Sequence, residues 1–277
     1  MRDARQDNQD VGQDDVYFYH TMDIPGRGHV QGEWTLRDVE HSYLGGVALA
    51  GKSVLEIGPA SGFLTMRMEQ GGADVVAFDL DEAHMPDNLV ASPDTCNHYV
   101  ADFRRFQRRL NNGFGEVHRA FGLKAGVRHG TVYDLPADLG IFDMATFCSV
   151  LLHLRDPFLA LYRVSRHVRD TLVVTDMLPL GTRSLRARLG RFLIERCLYR
   201  EAGGEVPAMG FFLPAGGAVK HQFAWWLFPP ETISRFLAIL GFETRRVVLH
   251  EQEFQGRMMR LYTVVAERVG DGQRLLV

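Results

Sequence analysis

Val54-Leu55-Glu56-Ile57-Gly58-Pro59-Ala60-Ser61-Gly62-Phe63-Leu64-Thr65 is the stretch that decides the fold. Its first part, Ser53–Ile57, is a short apolar run with the pattern of a buried strand. The run enters a turn with two glycines four apart, and a helix begins at Phe63. Glycine lets a backbone approach a ligand closely, and a helix start offers unpaired N–H groups. A dinucleotide-binding turn reads G-x-G-x-x-G, and its second glycine makes room for a pyrophosphate. Here that position is Ala60, and Glu56 stands two residues before the first glycine. A carboxylate beside the turn disfavours a pyrophosphate and favours a ligand that carries an ammonium group. Asp79, 21 residues after Gly58, ends the next strand, where a carboxylate accepts hydrogen bonds from a ribose diol. Without the two acids, the same segment would read as a plain strand–turn–helix.

Outward from this stretch, apolar runs alternate with helical periods. Asp74–Phe78 reads as the second strand, Val127–Val132 as a third, Ile141–Val150 as a fourth and Thr171–Thr175 as a fifth. Between Tyr99 and Phe121, apolar residues recur at steps of three and four, which is a helix face; Asn111-Asn112-Gly113 is a signal that would break it in two. Asp156-Pro157 reads as N-cap and first residue of a helix to about Val168. Pro229-Pro230-Glu231 opens another helix through Leu240, capped by Gly241. The last two strands, Glu243–Leu249 and Met258–Glu267, are joined by a loop too short for a parallel crossover, so they pair antiparallel. The alternation predicts an α/β chain: a doubly wound, seven-stranded, mainly parallel sheet with an antiparallel last strand. The predicted organisation is a disordered lead over 1–15, an N-terminal lid segment over 16–50 with a short helix near Leu36–Leu44, and a main domain over 51–277. Residues 179–228 interrupt its rhythm as a cap insertion.

Composition narrows the class. The 277 residues are 46% hydrophobic and 10% aromatic, with 31 basic and 34 acidic side chains and a net charge of −3. That balance argues against a protein that coats nucleic acid electrostatically. Three cysteines, Cys96, Cys148 and Cys197, form no C-x-x-C pair, and the histidines show no metal-ligand spacing. No apolar run reaches the roughly 18 residues of a membrane span, and the polar N-terminus is unlike a signal peptide. The expectation is a soluble, cytoplasmic, enzyme-sized chain without metal.

The turn with its two acids resembles the class I S-adenosylmethionine-dependent methyltransferases, whose first motif is an acidic residue followed by G-x-x-x-G. The resemblance implies a Rossmann-like fold, S-adenosyl-L-methionine as cofactor, and methyl transfer. It implies that Glu56, Gly58, Pro59, Ala60 and Gly62 hold the methionine moiety and that Asp79 with Leu80 holds the ribose. A second block, Gly130–Pro136, falls where these enzymes contact adenine, through Thr131 and Val132. Many members carry Asp directly after that glycine; with Thr131 in its place, the adenine amino group is left to Asp134 or a backbone carbonyl. A third block, Phe142 through Pro157, resembles the fourth-strand motif and adds Ser149 to the cofactor set. Tyr19-His20-Thr21 with Gly32 narrows the resemblance to the branch with tRNA wobble-uridine methyl and carboxymethyl transferases and their small-molecule relatives, over residues 17–177.

Methyl transfer from a sulfonium needs alignment and at most one proton removed. His153 lies just past the fourth strand, at the carboxyl edge, and is the candidate catalytic base; its other reading is a histidine that orders the loop. Tyr19, His20, Asp176, His221, Trp225 and Trp226 are the candidate acceptor contacts, each with a packing role as the competing reading. Arg183–Arg200 carries six arginines beside an apolar stripe, as a cap helix, an anion site or a solvated face. The expected acceptor is a small molecule, a hydroxyl or amine of a natural product. The first 40 residues hold nine acids against four arginines, which a tRNA-binding enzyme would not favour. The competing readings are tRNA wobble-uridine modification and a non-catalytic binding protein that kept the fold. The oligomeric state is left open, a homodimer being one option.

Overall fold

A computed structural model describes residues 15–87, 93–179, 209–214 and 224–272. The deciding stretch forms β4 (Ser53–Ile57) and α1 (Phe63–Gln70), joined by the glycine turn. The chain then runs through β5 (Asp74–Asp79), α2 (Pro93–Phe121), β6 (Gly126–His129), β7 (Phe142–Cys148), α3 (Pro157–Ser165) and β8 (Val168–Met177). After the insertion come α4 (Pro230–Ile239), β11 (Phe242–Phe254) and β12 (Arg257–Arg268). Short strands β1 (Met22–Ile24) and β2 (Gly28–Val30) pair with each other, as do β9 (Phe211–Phe212) and β10 (Trp226–Leu227).

The main sheet has the order β3-β11-β12-β8-β7-β4-β5-β6, with β3 being Trp34–Thr35. β6, β5, β4, β7 and β8 are parallel, and β12 is antiparallel to both of its neighbours. This is the expected doubly wound sheet, with one strand beyond the predicted seven because the N-terminal segment donates β3. The chain builds outward from β4 to β6, then returns to the other side of β4 at β7. Such a reversal opens a crevice outside the carboxyl ends of the two strands, where α/β sheets bind ligands. Alternate residues of the central strands enter opposite faces: Leu55 and Ile57 pack with Phe147 and Tyr262, whereas Val54 packs with Met68, Met144 and Val173. Glu56 shares the Val54 face, under α1.

Several boundaries differ from the sequence reading. The third strand is Gly126–His129, shorter and earlier than Val127–Val132: the Gly130 N–H to the Asp79 carbonyl is its last rung, and a turn closed by the Asp134 N–H on the Thr131 carbonyl follows. The helix after Asp156 stops at Ser165, and its N-cap works as expected, with Asp156 Oδ1 accepting from the Leu159 N–H at 2.9 Å. Val39–Tyr43 is a single π-helical turn. α2 is continuous through Asn111-Asn112-Gly113. The glycine there is a contact point, not a break: an added Cβ would lie 2.3 Å from the Tyr17 carbonyl oxygen. Tyr17 donates its N–H to the Arg109 carbonyl at 2.9 Å, and Asn112 Nδ2 donates to the Asp15 carbonyl at 2.9 Å. The N-terminal segment is thereby strapped onto α2.

Gly113→Ala weighs two effects against each other. Alanine gains up to about 1 kcal/mol of helix propensity, while overpacking typically costs about 1–3 kcal/mol. With backbone as the obstacle the clash wins, and the thermal midpoint is expected to fall by about 2–4 °C. A raised midpoint in a melting curve would show that the strap yields freely.

Candidate active site

The crevice is built from the ends of β4, β5, β7 and β8. At the end of β4 the backbone takes left-handed values at Gly58 (φ 73), Ala60 (φ 51) and Gly62 (φ 83). Gly58 donates its N–H to the Phe78 carbonyl at 3.0 Å, and a Cβ there would meet Val150 at 2.7 Å. Gly62 is the N-cap of α1 without a side-chain cap bond, and a Cβ there would meet the Phe114 ring at 3.0 Å. Glu56, 1% exposed, accepts from Thr65 Oγ1 of α1 at 2.5 Å through Oε2. Its Oε1 is buried and has no partner among the described residues. Burial pushes its pKa up to about 8, against the pull of the Thr65 bond. Asp79 is half-buried at the end of β5; its carboxylate accepts from the Leu80 N–H at 2.7 Å and from the Ala60 N–H, tying the two strand ends together. Burial pushes its pKa up to about 7. An unsatisfied carboxylate oxygen, a turn of left-handed residues and a second acid one strand away fit a ligand with an ammonium group and a ribose.

Across the crevice, β7 ends at Cys148 and Ser149, the latter at φ 57. Such a conformation in a residue with a Cβ is sparsely populated and needs surrounding contacts to hold it. Two are present: Ser149 donates its N–H to the Thr175 carbonyl at 2.7 Å, and its hydroxyl meets Tyr43 Oη at 2.9 Å. The 3₁₀ turn Leu151–His153 follows and leaves His153 half-buried. Asp176 at the end of β8 is fully buried, accepting from the Met177 N–H at 2.7 Å and from the Leu152 N–H. It therefore pins the turn that carries His153. Its Oδ2 is buried without a partner among the described residues, and burial pushes its pKa up to about 7.

The N-terminal segment covers the glycine turn. Tyr19 donates its N–H to Ser61 Oγ at 2.9 Å and accepts from Trp34 Nε1 at 3.2 Å. His20 is 5% exposed and stacked on Phe63 at 5.4 Å; burial lowers its pKa to about 3. Thr131 and Val132 follow β6, with Val132 buried. Trp225 and Trp226 are anchored to loops at the carboxyl edge: Trp225 Nε1 donates to the Asp87 carbonyl and Trp226 Nε1 to the Arg155 carbonyl, both at 3.1 Å. Trp226 also stacks on Phe228 at 5.7 Å. His221 and Arg183–Arg200 lie outside the described residues. Sequence reasoning missed Tyr43, Thr65 and Asp87. Asp87 accepts from Tyr133 Oη and from the Arg155 N–H, joining three loops. Tyr43 and Asp87 belong to no motif; Thr65 ends the deciding stretch and had only that position as a signal.

These shifts set a pH dependence. Glu56, Asp79 and Asp176 keep protons in the folded chain over a range where the unfolded chain, near pH 4, has lost them. Their contribution to stability therefore declines as pH rises from about 4 through 7–8. His20 and His250, lowered to about 3 and about 4, act with the opposite sign but only below the unfolded value of about 6.5. Above that value the two histidines no longer oppose the carboxylates. The thermal midpoint of the ligand-free protein is expected to fall between about pH 6.5 and pH 8.5, with a shallower fall in Glu56→Gln. A flat or rising midpoint over this window would contradict the burial of these acids.

No protein-family model matches the chain, and no curated protein matches its sequence. Solved structures do match. One is a SAM-dependent methyltransferase from Methanosarcina mazei, at TM-score 0.52 and 17% identity over 84% of this chain and 98% of that one. Another is the N-terminal domain of EvdMO1 with SAH bound, at TM-score 0.52 and 16% identity over 90% of each chain. The chain shares a Rossmann-like α/β fold with these solved structures.

Proposed function

We propose that this chain is an S-adenosylmethionine-dependent methyltransferase acting on a hydroxyl or amine of a small-molecule, natural-product acceptor. The observation that carries the reading is the pair of acids with raised pKa values, Glu56 and Asp79, flanking the left-handed glycine turn at the reversal of strand order. In this reading Glu56 with Gly58, Pro59, Ala60 and Gly62 binds the amino-acid end of the cofactor. Asp79 and Leu80 bind its ribose, Thr131 and Val132 flank its base, and Ser149 closes the β7 side. Bound there, the cofactor supplies a methyl group already activated on sulfonium, so the chain's task is alignment and the handling of one proton.

Of the two histidines at the edge, His20 is a poor proton acceptor, since burial holds it neutral down to about pH 3. His153, on the turn pinned by Asp176, is the base. Asp176 orients the acceptor or that turn, Tyr19 and His20 close the N-terminal side, and His221, Trp225 and Trp226 belong to the cap. The small-molecule reading is supported by the acidic balance of residues 1–40, nine acids against four arginines, which would disfavour a polyanion.

Isothermal titration is expected to show binding of S-adenosylmethionine or its demethylated product in the micromolar range or tighter. Asp79→Ala removes a charged hydrogen-bond acceptor and should weaken that binding by about 10–100-fold. Wild-type protein that binds neither compound would end the proposal. Once an acceptor is in hand, His153→Ala is expected to lower turnover by ~10²–10⁴-fold with cofactor affinity nearly unchanged. A wild-type rate and pH profile in that variant would move the proton to Asp176 or remove the need for a base.

A further inference from the structure

Among the described residues, four other than glycine stand at positive φ: Asp38, Ala60, Ser149 and Gln255. Gln255 belongs to the β11–β12 hairpin, whose tight turn requires it. Ala60 lies in the glycine turn and Ser149 follows β7, so two of the others form the crevice. Asp38 opens the π-helical turn Val39–Tyr43. Strain of this kind persists only where neighbouring contacts hold it, and isolated π-helical turns recur at functional sites. The turn is held from three strands. Thr175 Oγ1 of β8 donates to the Tyr43 carbonyl at 2.7 Å and bonds Thr263 Oγ1 of β12 at 2.8 Å. On β11, His250 Nε2 meets Thr263 Oγ1 at 3.0 Å, and Gln252 takes the Arg37 N–H at 2.7 Å and reaches Ser42 Oγ at 3.3 Å. Thr175, Thr263 and Gln252 are all buried. Apolar groups of the same shape would serve stability about as well. What these polar groups add is a fixed position for the turn.

That position puts the Tyr43 hydroxyl 2.9 Å from Ser149 Oγ, with the buried Tyr43 ring beside the His250 ring at 5.7 Å. Ser149 in turn places the next residue. Val150 covers Gly58 so closely that a Cβ at Gly58 would lie 2.7 Å from Val150 Cγ2. The chain then enters the turn Leu151–His153. We propose that Tyr43 is a positioning residue of the cofactor site: its hydroxyl grips Ser149, and Ser149 in its left-handed conformation holds Val150 against the glycine turn. This role depends on the methyltransferase reading. The Ser149 hydroxyl is then the handle of Tyr43 and not a cofactor contact, because its oxygen is already engaged. Residues 34–43, paired to β11 through β3 and pinned at Tyr43, are a fixed wall of the site and not a lid that opens.

Isothermal titration of S-adenosylhomocysteine into the full chain tests this, with a melting curve of each variant to report folding. Tyr43→Phe keeps the ring and removes one hydrogen bond, and is expected to weaken binding about three- to tenfold. Glycine adopts the left-handed conformation without being held. In a Ser149→Gly background, Tyr43→Phe is therefore expected to change binding by less than about twofold. The comparison is made within each background, so whatever Ser149→Gly does by itself cancels. Ser149→Ala removes the same bond from the other side. It should lose as much as Tyr43→Phe, with no further loss in the double variant, and it serves if Tyr43→Phe does not fold. Wild-type protein that binds no S-adenosylhomocysteine ends the methyltransferase reading and this role with it. Wild-type binding that Tyr43→Phe leaves unchanged, or weakens equally in both backgrounds, ends this role alone. Loss of all binding in Ser149→Gly would make that hydroxyl a cofactor contact and overturn its part as the handle.

Discussion

A carboxylate buried at the end of a strand is costly unless something donates to it, and Glu56 is the point around which the crevice is arranged. Thr65 supplies one donor, and it can do so only if α1 starts within two residues of Phe63 and runs back over β4. That start requires the chain to turn sharply between Ile57 and Phe63, which the left-handed residues Gly58, Ala60 and Gly62 provide. Asp79 then ties the turn to β5 through the Ala60 N–H. Local strain, helix placement and the register of two strands thus converge on one acid whose remaining oxygen has no partner among the described residues. A structural role alone would be served better by an apolar residue of similar size.

The second acid of this kind, Asp176, lies at the opposite side of the crevice and has the same anatomy. One oxygen is engaged by backbone N–H groups, the other is buried without a partner, and its pKa is raised by burial. Between the two acids stand Ser149 and Tyr43, whose hydroxyls meet at 2.9 Å, and the Tyr43 carbonyl receives Thr175 Oγ1 at 2.7 Å. The N-terminal segment is therefore wired into the crevice wall by hydrogen bonds as well as laid across it. Its β3 strand and its contacts with α2 hold it at two further places.

How much of this was legible in the sequence follows from the range of the interactions. The strand–turn–helix at Ser53–Thr65, the N-cap at Asp156 and the antiparallel hairpin are local, and their signals are contained in a few neighbouring residues. The doubly wound order followed from the alternation of strands and helices. Gly113 was ambiguous because a glycine in a helix signals a break unless another backbone needs its space, and that backbone, Tyr17, is 96 residues away. Tyr43 and Asp87 were invisible for the same reason: each acts through one atom on residues distant in the chain. Trp225 and Trp226 stood out in the sequence as candidate acceptor contacts or packing residues, whereas the carbonyls that hold their indole N–H groups, Asp87 and Arg155, carry no sequence signature.

The edge of β11 closes the argument about design at a larger scale. A doubly wound sheet covers both faces of its parallel strands with helices, but antiparallel strands added at one side outrun that cover. β12 remains inside it, with Tyr262, Val264 and Ala266 fully buried. β11 does not, and its burial alternates toward exposure from Glu243 onward. The N-terminal segment shields one face, where Gln252 Oε1 accepts from the Arg37 N–H at 2.7 Å and Arg246 reaches the Gly46 carbonyl at 3.0 Å. The other face keeps Val247 and Leu249 open. The edge of β11 is blunted instead by the register shift between Thr244 and Arg246 and by charges held within the chain, Arg245 by Glu243 and Glu267 and Glu251 by Arg260.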